Sequence, residues 1–266
     1  MTRIRKAAVA GMFYPAEADK LINMIDSMLS RATTLKKNIP SPKALIVPHA
    51  GYIYSGPVAA NAYALLARER ETIRRIVLLG PVHRAPVRGL ALPEADTFAT
   101  PLGNIALDTE GMRSILDLPQ LVKSREAHEL EHSLEVHLPF LQRSLGDFRL
   151  IPLAVGDAAP NEVGEVLDKL WGSSETRIII SSDLSHYLPY DMAINIDCET
   201  ARAIVEQRWP IRHEQACGAT PINGLLATAA NHKLHACLLD LRNSGDTAGD
   251  KSQVVGYGAF ALSTRQ

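Results

Sequence analysis

The chain has 266 residues, 28 of them basic and 29 acidic, for a formal net charge of −1. That balance leaves no field to steer a nucleic acid or an anionic membrane surface, and aromatics at 5% offer few platforms for base stacking. Three cysteines, Cys198, Cys217 and Cys237, show no CxxC spacing, which argues against a disulfide framework and for a reducing cytoplasm.

The opening, "MTRIRKAAVAGMFYPAEADK", couples a basic start to an apolar run. The run is short, and Tyr14, Pro15 and acidic residues follow at once, so it reads as mature protein rather than a signal peptide. No stretch approaches the length of a membrane span. Leu21, Ile25, Met28 and Leu29 then share one helical face. "KALIVPH" (43–49) has the length and apolar content of a buried strand, and Val58, Ala62, Leu65 and Leu66 form the next helical stripe. "RIVLLGPVH" (75–83) is a second strand. The turn-rich stretch from Pro86 to Leu107 is expected to make a small antiparallel excursion covering the main sheet.

Leu134, Leu138, Leu141 and Leu145 make a third helical stripe, followed by the strands "RLIPLAVG" (149–156) and "RIIISSDLSH" (177–186). Ile222, Leu225, Leu226 and Ala229 mark a further helix, and "HACLLDL" (235–241) and "VVGYGAFAL" (254–262) two last strands. Cys198 and Cys237 fall inside a helix and a strand and read as packing residues. Short apolar runs alternating with helical patterns predict crossover connections. The expected fold is one domain over residues 1–266, a three-layer α/β/α arrangement around a mainly parallel, mixed sheet.

Three of these strands end alike. They deliver His49, then His83, then Asp183 with His186. Ligands of open α/β sheets bind outside the carboxyl ends of the strands. One histidine there is readily a cap, but three point to a site. Two imidazoles need a further donor to hold a metal with open positions, and Asp183 and Cys217 are the candidates. Cys217 precedes a helical pattern, with Gly218 permitting close backbone approach and Pro221 suited to a first turn, so a lowered thiol pKa is expected.

"HELEHSLEVH" (128–137) contains H-E-x-x-H, the spacing of zinc peptidases. The extended third histidine is absent, since position 138 is Leu. Pro139 interrupts the stripe, so the helix is kinked or begins late, and Ser133 as an N-cap would leave His128 outside it. His132, Glu135 and His137 are therefore expected as pocket or supporting residues, with a polar helix end as the alternative.

The ordered blocks "AAVAGMFYPA", "VPHAGYIYSGPVAANAY", "GPVHR", "TPLG", "EHSLEVHLPFLQ", "SSDLSHY", "ACGATPINGLL" and "VVGYGAFAL" span Ala7 to Leu262. Together they resemble the Memo family, the B component of the AmmeMemoRadiSam system. Val82 departs from the small polar residue usual in that family, which alters the pocket wall rather than the ligands. The family is similar in fold to class III extradiol ring-cleaving dioxygenases. That resemblance implies His49, His83 and Cys217 as ligands of Fe(II), with Cu as the alternative, and His186 with Asp183 as catalytic residues; Tyr54 joins the pocket. It implies an oxidoreductase on an unknown small substrate, or a non-catalytic metal-binding or partner- or peptide-binding protein using the same pocket. The zinc peptidase is the remote third reading. Other AmmeMemoRadiSam components, including a radical SAM enzyme, are the implied partners, with no nucleic acid and no membrane.

Overall fold

Successive strand residues face opposite sides of a sheet, so an unbroken apolar strand needs cover on both faces. The computed structural model describes residues 2–33 and 39–264. Its elements run β1 (Ile4–Arg5), α1 (Ala18–Thr33), β2 (Ala44–Val47), α2 (Tyr52–Leu66), β3 (Arg75–Pro81), β4 (Leu90–Leu92), β5 (Thr97–Thr100) and β6 (Gly103–Ala106). There follow α3 (Thr109–Arg113), β7 (Leu121–Lys123), α4 (Glu126–Glu129), α5 (Leu138–Ser144), β8 (Arg149–Val155), α6 (Pro160–Lys169) and β9 (Thr176–Ser181). Helices α7 (Tyr190–Val205) and α8 (Ala219–Asn231) precede the closing strands β10 (Leu234–Asn243) and β11 (Gly256–Thr264).

The main sheet has the order β10-β11-β2-β9-β3-β8-β4-β7. Its centre, β2, β9, β3 and β8, is parallel, while β10, β11 and β4 run antiparallel to their inner neighbours. Leu45, Val47, Ile76, Leu78 and Ile179 pack on one side beneath Leu21 and Ile25 of α1, Val58 and Tyr63 of α2, and Phe140 and Leu141 of α5. The alternate residues Ala44, Ile46, Val77, Leu79, Ile178 and Ile180 meet Val163 and Val166 of α6, Ile204 of α7, and Ile222 and Leu225 of α8. Each such buried aliphatic side chain contributes roughly 1.5–3 kcal/mol through removal from water. The three-layer fold expected from the sequence is therefore present.

The excursion differs from expectation in one respect. Leu90–Leu92 are all buried and join the main sheet against β8. Only β5 and β6 form the antiparallel hairpin, which β1 extends in parallel. The alternating burial of β5 suits a one-sided ribbon, whereas a strand buried on both faces belongs inside the sheet. Leu134, Leu138, Leu141 and Leu145 are all buried, yet α5 begins only at Leu138, with Pro139 in its first turn and a single 3₁₀ turn over Glu135–His137 before it. Ser133 is not an N-cap; its hydroxyl donates to Pro81 O at 2.8 Å. Cys198 is on α7 but exposed, so it is no packing residue. Among the described residues no helix is long and apolar enough to cross a membrane.

Candidate metal centre

Strands β2, β9 and β3 are parallel neighbours, so their carboxyl ends open on one edge of the sheet. His49 follows β2, His83 follows β3, and Asp183 and His186 follow β9. A donor atom from each of His49, His83 and His132 lies within 4.8 Å of the others. The His83 and His132 rings are stacked at 4.7 Å, and His49 stands edge-on to both at 5.3 and 5.4 Å. His132 arrives on the link between α4 and α5, so the structure brings a residue expected on the pocket wall into the imidazole group itself.

Hydrogen bonds fix which nitrogen each ring presents. His49 Nδ1 is 2.6 Å from Ser181 Oγ, and the Ser181 hydroxyl donates its one proton to Ser133 O, also at 2.6 Å. The imidazole must then donate from Nδ1, which leaves the Nε2 lone pair facing the site. A Cβ on Gly80 would come within 2.8 Å of Ser133 Oγ and 3.1 Å of Ser181 Cβ, so β3 needs glycine beside this relay. His83 Nδ1 lies 2.9 Å from Glu131 Oε1 and donates to it, again freeing Nε2. Glu131 also accepts the amide protons of His83, His132 and Ser133 at 2.6, 2.9 and 2.9 Å. Burial opposes its charge, but these bonds hold the carboxyl down at about 2. Glu131 and Ser181 went unread in the sequence. The signal for each was its place at the head of a block that carries the family resemblance, Glu131 in "EHSLEVHLPFLQ" and Ser181 in "SSDLSHY".

Cys217 Sγ is 3.4 Å from His49 Nε2. Its amide donates to Asp183 O at 3.3 Å, and the Gly218 amide donates to Ser182 Oγ at 2.9 Å. A Cβ on Gly218 would be 2.5 Å from Ser181 O, so the close approach expected of that glycine is real. The lowered thiol pKa is not. Burial, helped by the Asp183 charge, pushes the Cys217 thiol up to about 12, outweighing the helix N-terminus. Asp183 is buried beneath the His49 loop, where Oδ1 accepts the His49 amide at 2.8 Å and burial raises its carboxyl to about 7.

His186 donates from Nδ1 to Leu184 O at 2.8 Å. Its ring lines a cleft of about 1290 Å³ together with His83, Cys217, Val87, Tyr187 and Ile196. Burial lowers the pKa of His49 far below its ordinary value, of His132 to about 4, and of His186 below its usual range. Neutral imidazole is the form that ligates metal.

The other expected residues lie around this group. Glu135 turns from the cleft to the N-terminal segment, pairing with Arg5 and accepting from the Ala8 and Val9 amides at 2.7 and 3.0 Å and from Tyr14 Oη at 2.5 Å. His137 is buried behind the histidines, with Nδ1 2.7 Å from Tyr63 Oη. Tyr54 is half-buried in the first turn of α2. His128 belongs to α4, which ends at Glu129, and its Nε2 donates to Ala91 O at 2.8 Å. It stands outside the three-histidine group, so H-E-x-x-H does not form a two-histidine helical face here.

The three imidazoles form the mutually close donor group that fits a metal, and Cys217 stands beside it, approaching at His49. Two ligands at ~2.0 and ~2.3 Å from one tetrahedral ion sit roughly 3.5 Å apart, close to the spacing of the Cys217 sulfur and the free His49 nitrogen. Comparison with known proteins bears on the family and the fold. The sequence model of a family described as Memo-like protein matches residues 5–261. A MEMO1 family protein of Aquifex aeolicus is 35% identical, with 96% of this chain and 97% of the relative covered. One of Methanosarcina acetivorans is 38% identical over 97% of this chain and 99% of its own. An uncharacterised Escherichia coli K12 protein of known crystal structure shares the fold, with a TM-score of 0.54, 14% identity, and coverage of 82% of this chain and 98% of its own.

Proposed function

The chain belongs to the Memo-like protein family, and from that premise we propose that it is a metal-dependent oxidoreductase of extradiol-dioxygenase type acting on a small substrate. Its metal is Fe(II), with Cu as the alternative. His49, His83 and Cys217 are the ligands, with His132 as a further donor in reach. The observation that carries this reading is the convergence of donor atoms of His49, His83 and His132 at one strand-end edge, with the Cys217 thiol 3.4 Å from His49 Nε2.

A metal bound there supplies redox chemistry and open positions for a dihydroxylated substrate and dioxygen. The protein's part is to hold that geometry. Glu131 and Ser181 lock the imidazole tautomers, and His186, whose Nδ1 is committed to Leu184 O, offers Nε2 to take a substrate hydroxyl proton. The cleft beside it, about 1290 Å³ and lined by Val87, Leu188 and Ile196 as well as polar groups, gives a small substrate room to approach. A thiolate among the ligands softens the site, favouring Cu(I) or thiolate-bound iron, and this supports a second reading in which the protein binds metal without turnover.

Anaerobic titration with Fe(II) and Cu(I) tests the site. His49→Ala and Cys217→Ala should lose stoichiometric binding, while His128→Ala should keep it. Retention of full affinity in both of the first two variants would sink the ligand assignment. Oxygen uptake with a panel of catechols then separates enzyme from binder.

A further inference from the structure

Among the described residues, three other than glycine adopt a positive φ: Tyr187, Gln207 and Lys233, at 55°, 53° and 54°. Gln207 and Lys233 stand just past the ends of α7 and α8, where a left-handed residue is an ordinary way to stop a helix. Tyr187 has no helix behind it, and its backbone is turned by what holds its neighbours. The loop 184–188 is tied to the segment 254–256 at both ends, with Leu184 N donating to Gly256 O, Gly256 N to Ser185 O and Val254 N to Leu188 O, each at 2.8 Å. Such a turn suits glycine or asparagine, and a bulky side chain there strains the backbone.

Nothing that the fold gains from this tyrosine offsets the strain. Its side chain is 69% exposed, and its hydroxyl has no hydrogen-bond partner among the described residues. Its ring meets one other aromatic group, His186, edge-on with the centroids 5.9 Å apart. That ring lines the cleft of about 1290 Å³ beside His186 and Cys217, where Leu188, Ile196 and Pro221 supply further apolar wall. Strain without a structural return, on the wall of a candidate site, points to function.

We propose that Tyr187 is a specificity-determining residue whose ring stacks on the flat face of an aromatic substrate held at the metal centre. This role rests on the reading of the cleft as the substrate side of that centre. A ring whose hydroxyl meets His186 comes to lie next to Tyr187, because the two side chains are successive and close, and aromatic pairs attract at roughly 4.5–7 Å between centroids. The contact selects for a planar ring over an aliphatic molecule that offers the metal the same oxygens.

4-Nitrocatechol and acetohydroxamate test this, since both chelate iron through two oxygens and only the first carries a ring. Each is titrated anaerobically into the full-length protein loaded with Fe(II), and binding is followed by absorbance and calorimetry. Tyr187→Leu should weaken 4-nitrocatechol roughly tenfold, about the worth of an aromatic pair with its buried area, and leave acetohydroxamate and Fe(II) affinity unchanged. Tyr187→Phe should bind both chelators as the wild type does. Tyr187→Gly should show the same loss for 4-nitrocatechol with an unfolding midpoint at or above that of the wild type, because glycine relieves the strain. No binding of 4-nitrocatechol by the loaded wild type, equal binding by Tyr187→Leu, an equal loss of both chelators, or a lowered midpoint in Tyr187→Gly would each overturn the proposal. Those outcomes leave Fe(II) binding intact, whereas a wild type that takes up no Fe(II) overturns the metal reading and the role of Tyr187 with it.

Discussion

Glu131 and Glu135 are buried acids four residues apart, and they work in different parts of the molecule. Glu131 accepts from the His83 ring and from three site amides, so its charge shapes the metal face. Glu135 accepts from Arg5, two amides and a tyrosine of the N-terminal segment, so its charge anchors the chain. Nearly the same bonding capacity is spent on ligand geometry in one case and on tertiary closure in the other. The lesson is that burial and hydrogen-bond count do not distinguish a functional carboxylate. What its partners do next distinguishes it.

Glu135→Ala offers the strongest way to break the comparison. It strands the buried Arg5 guanidinium, and losing one partner of a buried pair costs about 3–5 kcal/mol. Denaturant unfolding should show that loss, and a change under 1 kcal/mol, about the worth of an exposed pair, would mean that the anchor is dispensable. Glu131→Gln should act on the other side. It replaces acceptor oxygen by an amide that cannot take all the facing donors, and it unlocks the His83 tautomer. Metal affinity is expected to fall about 10–100-fold, the usual cost of removing a ligand's supporting carboxylate. If affinity holds while stability alone drops, Glu131 is an anchor like Glu135 and the contrast fails.

Acid sharpens the picture through the histidines that flank these acids. In the unfolded chain they take up protons near pH ~6.5. In the fold, burial holds His128 at about 4 and His137 at about 3. The unfolded state therefore binds more protons in that window, and stability falls as the pH drops below about 6.5. Each histidine should account for about 2 kcal/mol between pH ~7 and ~5, read from unfolding midpoints of the metal-free protein. A flat pH profile would show that neither ring is buried neutral. The smallest effect is expected of Tyr63→Phe, which removes the hydroxyl bonded to His137 for a cost of about 1 kcal/mol and should leave metal affinity alone. A loss of affinity there would extend the site deeper than the ligands and their immediate supports.

Much of this was legible before any coordinates. The runs 44–47, 75–81, 149–155 and 176–181 are largely apolar on both faces, which only a covered central strand tolerates, and the histidines after three of them followed from strand-end chemistry. The resemblance supplied Cys217 with its role, and the structure set its sulfur beside His49. His132 was legible as polar but not as a member of the imidazole group, because its neighbours there lie 49 or more positions away in sequence. The raised thiol of Cys217 was missed for the same kind of reason. Its helix position is local, while the burial that overrides it is not.

Sequence alone thus determined periodicity, strand ends and the chemistry on offer, since those depend on side chains a few positions apart. Only the tertiary structure decided which nitrogen of each histidine is free, which acid supports a ligand and which ties down the chain. Those assignments rest on single hydrogen bonds between segments as far apart as Arg5 and Glu135 or His49 and Ser181, and no local pattern encodes a distance of 2.6 Å between them.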